Sequence, residues 1–490
     1  MLRPCYPAYP DEALLSYACR LAYRHTGQGL RRLLADLRIN GIDFEAGEPD
    51  AVLAFAEAIG AEPQVLSQNT IRRLKRYNRF RGEDFSRSFL SGRIVQLCSS
   101  CLIEQGGKEN WHCPIIWSFA SVPICARHAC VMKQVEAEDV IDLRDLPMPE
   151  TSEAEPATVG EHIKWLGVRL EGQPVSQWLA GQSIEQVLHS SEMLGLVMLH
   201  GEKVRPKQLS RQQRSEAMEA GFLVYREGEA AIRTALSDIR CNAVAQAVQA
   251  GPLATYGPLF DWLDRRANML PPGPIKAILR EHILEHEVWA SDEMLLGERV
   301  KERRLHSVKS LSETLKTDRR RMSRLLQKLG LVPEGATDAE SGKLVFPVQE
   351  IEQLVQDYHS AVPLALVPEY LGGSKAMVLA LYGAGQLKSL IPADAPGAVR
   401  KVVFARRELD RVLAVLDALP LAPAGRDVDI IQLAGACQRF GVRAGDALTA
   451  ILTGQLAALR GHGGPSLHAL HVERGEILKF RDKVRAMTDA

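Results

Sequence analysis

The chain has 490 residues, 46% of them apolar, with 60 basic and 60 acidic side chains. That length exceeds one ordinary core and predicts three or more units, each with enough apolar residues to bury its own interior. No run approaches the length of a membrane span, and the opening "MLRPCYPAYPDE" has neither an apolar stretch nor a small-residue cleavage site, so membrane insertion and secretion are not expected and the cytoplasm is the expected location.

In chain order, the first 95 residues read as helical. "DEALLSYACRLAYRHT" sets Leu14, Leu15, Ala18, Leu21 and Ala22 on one face at 3.6-residue spacing, with Asp11 placed to cap the helix. "LRRLLADLRI" and "DAVLAFAEAIG" repeat that pattern, and Gly60 stands where a C-terminal glycine would close the second. Zero net charge hides segregation: residues 72–93 carry eight Arg or Lys against two acids, 301–328 carry ten against three, and 136–155 carry one against eight. In the first basic block Arg72, Arg73, Lys75, Arg76, Arg79 and Arg81 interleave with Tyr77 and Phe80, which suits phosphate contacts beside aromatic packing as well as a solvated helix face.

Five of the nine cysteines fall between 98 and 130, a clustering that favours a metal site over a disulfide framework. "CSSC" at Cys98–Cys101 and "CARH" at Cys125–His128 are two chelating pairs, and each two-residue spacer lets one tight turn aim two side chains at a single ion. Cys98, Cys101, Cys125 and His128 are therefore the expected ligands of one structural Zn2+, with Cys113, Cys130 and His112 as nearby competitors. An all-protein shell of this kind is closed, and contributes on the order of 10 kcal/mol of local folding free energy without activating water.

Beyond His128 the chain becomes acidic and Pro-rich, the composition of a linker over 136–160. Helical patterns return over 161–295. Within them "HILEH" at 282–286 fits the H-x-x-E-H pattern of inverted zinc peptidases, but no third ligand is evident and Ile275, Ile278, Leu279 and Ile283 form an ordinary core stripe. No phosphate-binding loop, G-x-S-x-G or dinucleotide fingerprint is present, so an enzyme is not expected.

The C-terminal part repeats. "SVKSLSETLKTDRRRMSRLLQKLGLV" (307–332) reads as helix, turn at Lys316 to Asp318, and arginine-rich helix closed by Gly330, followed by a strand and helix in "KLVFPVQEIEQLV". A shift of 55 residues superposes Met322 on Met377, Leu326 on Leu381 and Gly330 on Gly385, and "GQL" recurs at 385 and 454 to suggest a third copy. A helix-turn-helix holds its second helix down by apolar residues and presents polar ones to a major groove. In the first copy Met322, Leu325, Leu326 and Leu329 hold, while Arg319, Arg320, Arg321, Arg324 and Lys328 present; the second copy offers only Ser374 and Lys375, the third Arg443 and Asp446. Duplex DNA is thus the expected partner, met by Arg72, Arg73, Lys75, Arg76 and Arg79 at the front and by the arginine-rich helix behind.

The stretches "YPAYPDEALLSYACRLA", "LCSSCL" and "IIWSFASVPICARHACVM" resemble the TniQ family of transposition proteins over residues 6–135. The resemblance implies the same four zinc ligands, and a non-enzymatic adaptor that selects a target site, by reading DNA or docking on an RNA-guided effector, and recruits the transposon AAA+ ATPase, which brings the transposase. A homodimer is a further option among the partners, and no membrane partner is expected. The alternative is a stand-alone DNA-binding regulator of a prophage or chromosomal locus without an ATPase partner. The expected fold is mainly α: a TniQ-like N-terminal domain with a Cys3His zinc site (1–135), the linker (136–160), a helical domain (161–295), and tandem winged helix-turn-helix-like units at 296–360, 361–420 and 425–490.

Overall fold

A computed structural model describes the chain except residues 1, 5, 94–95, 136–141, 149–154, 244–250, 267–269, 315, 317, 334, 343, 391–401, 424–428 and 489–490. It is mostly helical, and no helix among the described residues is long and apolar enough to cross a membrane. Its contacts divide it into one unit of Met1–His286 with Ser291–Lys301, and another of Glu287–Ala290 with Glu302–Ala490.

In the first unit, helix Leu14–Thr26 is buried continuously from Ser16 to Ala22 and packs with Leu33, Leu34, Phe44, Phe55 and Ile59 in the front core. Asp11 does not cap it. The helix begins after Ala13, whose backbone N–H donates to the Cys113 carbonyl, while Ile115 N donates to the Asp11 carbonyl. That pairing holds residues 11–13 extended where a cap would have turned. The acid used instead is Glu12, 1% exposed, which accepts from Arg20 Nε at 3.0 Å and Nη2 at 2.7 Å; the guanidinium also lies against the rings of Tyr9 and Tyr17. Burial of this ion pair is tolerated because the fork is bidentate and its outer face is covered by aromatic π-electrons. Gly60 closes its helix in the left-handed conformation at φ 73°, as its sequence position predicts.

Residues 72–86 depart from the helical expectation. They form an antiparallel three-stranded sheet of Arg72–Arg73, Tyr77–Phe80 and Glu83–Ser86. Arg81 and Gly82 link the last two strands with φ 47° and 81°, the two-residue turn whose twist suits a hairpin. Asn78 and Phe80 point inward and Arg79 outward, so the period is two and not 3.6. Of the acidic stretch, 136–141 and 149–154 lie outside the described residues, but Asp142, Leu143 and Arg144 are buried, and Arg144 Nη1 donates to the Trp111 carbonyl at 3.1 Å. This part is packed against the front of the chain and is not solvated.

Helices Ile184–His200 and Arg211–Tyr225 begin with serine capping boxes at Ser183 and Ser210 and form the tightest helix pair of the unit. Gly195 and Gly221 make this approach feasible: a Cβ on Gly195 would stand 1.8 Å from the Ala217 carbonyl oxygen, and one on Gly221 would stand 1.9 Å from that of Ser191.

In the second unit one order of elements occurs three times: strand, helix, helix, strand, helix. The first copy is Leu305–Ser307, Val308–Thr314, Arg319–Lys328, Val345–Pro347 and Val348–His359; a short helix, Asp338–Ser341, lies in its connection. The second is Val362–Pro363, Val367–Tyr370, Lys375–Gly383, Val403–Phe404 and Arg406–Asp417. The third is Ile430–Gln432, Leu433–Phe440, Ala444–Leu452, Leu470–Glu473 and Arg474–Thr488, with an added strand Leu459–Arg460. In each, the first strand pairs antiparallel with the strand before the last helix. Each second helix ends at a left-handed glycine, Gly330, Gly385 or Gly454, with φ between 71° and 72°, followed two residues later by a buried Val332, Leu387 or Leu456.

The copies differ in packing. The first has its own core of Val308, Leu311, Met322, Leu326, Phe346 and Val355. The second and third share one. Their second helices lie against each other, so close that a Cβ on Gly445 would stand 3.0 Å from that of Ala380, and no residue of Ala444–Leu452 is exposed.

Candidate metal centre

Two backbone devices bring the cysteine pairs together. Strand Gln96–Leu97 pairs antiparallel with Lys133–Gln134, which carries both segments to the same place from opposite ends. Cys98 then begins the short helix Ser99–Glu104, and Cys101 follows within its first turn on the same side. The second pair sits on a hairpin in which Ile124–Cys125 pairs with Cys130–Val131; Ala129 takes φ 47° in the turn that carries His128.

The donor atoms of Cys98, Cys101, Cys125 and His128 all lie within 4.8 Å of one another, in a group that could hold a metal ion. Cys101 and Cys125 sulfurs are 3.7 Å apart, and His128 Nδ1 lies 3.2 Å from Cys101 Sγ, 3.6 Å from Cys98 Sγ and 3.7 Å from Cys125 Sγ. A tetrahedral ion with bonds of about 2.3 Å to sulfur and about 2.0 Å to nitrogen needs donor separations of about 3.5–3.8 Å. The spacing fits. The sulfurs are buried, and the other ring nitrogen, His128 Nε2, lies 2.9 Å from Glu104 Oε1 while Arg127 Nη2 holds Glu104 Oε2 at 2.6 Å. A carboxylate behind the imidazole fixes which nitrogen faces inward, the usual support of a metal-bound histidine.

Proton affinities express the same crowding. Contacts with Cys101 and Cys125 pull the Cys98 thiol down to about 2, while those with Cys125 and Cys98 push the Cys101 thiol far up. The Glu104 carboxylate raises His128, and His128 lowers Glu104. Thiolates this close repel unless a cation lies between them, and a divalent ion removes that penalty by replacing their protons.

Two of the three expected competitors are elsewhere. Cys113 is buried and its backbone N–H donates to Ser16 Oγ, and His112 stacks on Tyr9 with ring centroids 4.1 Å apart. Cys130 remains close, its sulfur 3.6 Å from that of Cys98. Glu104 and Arg127 escaped the sequence reading; the signal available was an acid one helical turn beyond Cys101.

His282, Glu285 and His286 also form a compact group. His282 is buried and held to about 4 by burial and by His286, Glu285 pairs with Arg233 at 3.2 Å, and Ile275, Ile278, Leu279 and Ile283 are buried as the core stripe predicts.

The basic residues separate into tied and open ones. Arg72 pairs with Glu48 at 2.8 Å and Arg79 with Asp84 at 2.7 Å; Arg73 is half-buried beside Gly92, and Lys75 and Arg76 are exposed. Arg81 serves the fold, donating to carbonyls of Gln68 and Leu170. On the arginine-rich helix Arg319, Arg320 and Arg324 are exposed and Lys328 is half-buried; the side chain of Arg321 lies outside the described residues. Thr317 of the preceding turn lies outside them too.

Fold and centre together define a mostly helical protein whose front carries a buried Cys3His group able to hold a metal ion. Residues 4–132 match the TniQ family model, so the chain carries a TniQ domain at its front. That domain suggests a transposition-associated adaptor. A search of curated proteins found no match to the chain.

Proposed function

We propose that this protein is a zinc-stabilised DNA-binding adaptor that selects the target site in DNA transposition and recruits the transposon AAA+ ATPase. Cys98, Cys101, Cys125 and His128 would hold the Zn2+, which supplies no chemistry beyond tying the helix at Ser99–Glu104 to the hairpin at Cys125–Cys130. The three C-terminal copies are read as winged helix-turn-helix-like units, of which the first does the DNA reading.

One observation carries this reading: helix Arg319–Lys328 is held by Met322, Leu325 and Leu326, exposes Arg320 and Arg324 on its other side, and exposes Arg319 at its start. Guanidinium groups on the open face of such a helix suit phosphates and the O6 and N7 edge of guanine. The corresponding third helix exposes no residue, and the second exposes Lys375 beside Ala376 and Leu379, which favours a scaffolding role for those two copies. At the front, exposed Lys75 and Arg76 are better suited to phosphate than the paired Arg72 and Arg79.

Recruitment is tested by incubating the full chain with a labelled duplex and a transposon AAA+ ATPase. The ATPase is expected to join the complex only when the chain is present; equal loading of the ATPase on DNA without it would overturn the adaptor reading.

A further inference from the structure

The centre has more donors than an ion needs. Cys98, Cys101, Cys125 and His128 fill four positions, yet Cys130 is 4% exposed and its sulfur stands 3.6 Å from that of Cys98. That is the edge of a tetrahedron of sulfurs around one ion with metal–sulfur bonds of about 2.3 Å.

Its position follows from the hairpin register. Cys125 and Cys130 are directly opposed in antiparallel strands, so their side chains leave the same face. Cys125 points at the cluster, and Cys130 points with it. His128 reaches the cluster from the turn between them and meets Glu104, itself paired with Arg127, on its outer side, so it can leave without moving either strand.

We propose that Cys130 is an alternative fourth ligand, so that the same ion can be held by Cys98, Cys101 and Cys125 with either His128 or Cys130. This rests on the reading of the cluster as a metal centre. Two donor sets of different softness follow. With His128 the shell carries three thiolates and suits zinc; with Cys130 it carries four, costs one more buried negative charge, and suits a softer ion such as Cd2+. The imidazole set is therefore the resting one for zinc, and Cys130 takes over when the ring is removed or a thiophilic ion enters.

The experiment counts metal by mass spectrometry in the full chain and reads the ligands from the thiolate-to-metal absorption bands after Co2+ loading. His128→Ala is expected to keep one ion per chain with bands shifted to those of a four-sulfur shell, Cys130→Ser to keep one ion with unchanged bands, and the double variant to keep none. Loss of the ion from His128→Ala, or its retention in the double variant, overturns the proposal. An unsubstituted chain that binds no ion would instead overturn the metal-centre reading itself. Should His128→Ala fail to fold, X-ray absorption of the unsubstituted chain loaded with Cd2+ decides: four sulfurs are expected, and three sulfurs with one nitrogen overturn the proposal.

Discussion

At the scale of single residues, the centre depends on a side chain that would never touch the ion. Glu104 faces His128 Nε2 at 2.9 Å and so leaves Nδ1 to point at the three sulfurs. Outer-shell carboxylates of this kind typically strengthen metal binding 10- to 100-fold. Glu104→Ala should therefore weaken Zn2+ about 10- to 100-fold in competition with a chelator, and Glu104→Gln, which keeps an acceptor oxygen, should lose less. Equal affinity in Glu104→Ala and the unsubstituted chain would mean that the ring is oriented by the cluster alone. The Cys3His group was legible in the sequence because two-residue spacers encode a tight turn that aims both side chains one way. Glu104 was not, since what distinguishes it from any exposed acid is a histidine that the fold brings from 24 residues away.

At the scale of elements, what could be read depended on whether the determinants were local. The glycines at 330, 385 and 454 each close a helix in the left-handed region, and their spacing revealed the recurring order of elements. The sheet at 72–86 was hidden because arginine is a good helix former and a basic run has no strand signature; its two signals, Arg81–Gly82 and the alternation of Asn78 and Phe80 with Tyr77 and Arg79, were outweighed. Asp11 misled for a different reason. Its segment pairs with residues near Cys113, about a hundred positions away, and no local pattern announces that. Helices Ile184–His200 and Arg211–Tyr225 show what a distant contact can demand of one residue. Gly195→Ala would place a methyl group 1.8 Å from the Ala217 oxygen, so the helices must separate. A destabilisation of about 3 kcal/mol, the upper end of the usual overpacking range, is expected in denaturant titration. Gly167→Ala, where a Cβ meets nothing within 4 Å, is the control and should not destabilise.

At the scale of the whole molecule, charge segregation rather than net charge carries the functional reading. The 60 basic and 60 acidic residues cancel in sum, yet the arginine-rich helix keeps three described guanidinium groups exposed while much of the front block is tied into ion pairs or the fold. The sequence treated those two blocks alike; burial and pairing distinguish them, and neither is visible without coordinates. The same applies to the three copies, alike in order of elements but unlike in what their second helices face.

The most direct test of DNA reading by the first copy is the slope of log affinity against log salt for the full chain and a duplex of its target. Each phosphate neutralised contributes about −0.9 to that slope, so replacing Arg319, Arg320 and Arg324 together by alanine should flatten it by up to about 2.7. An unchanged slope would contradict the account, because the helix on which the DNA contact is argued would then lie outside the interface.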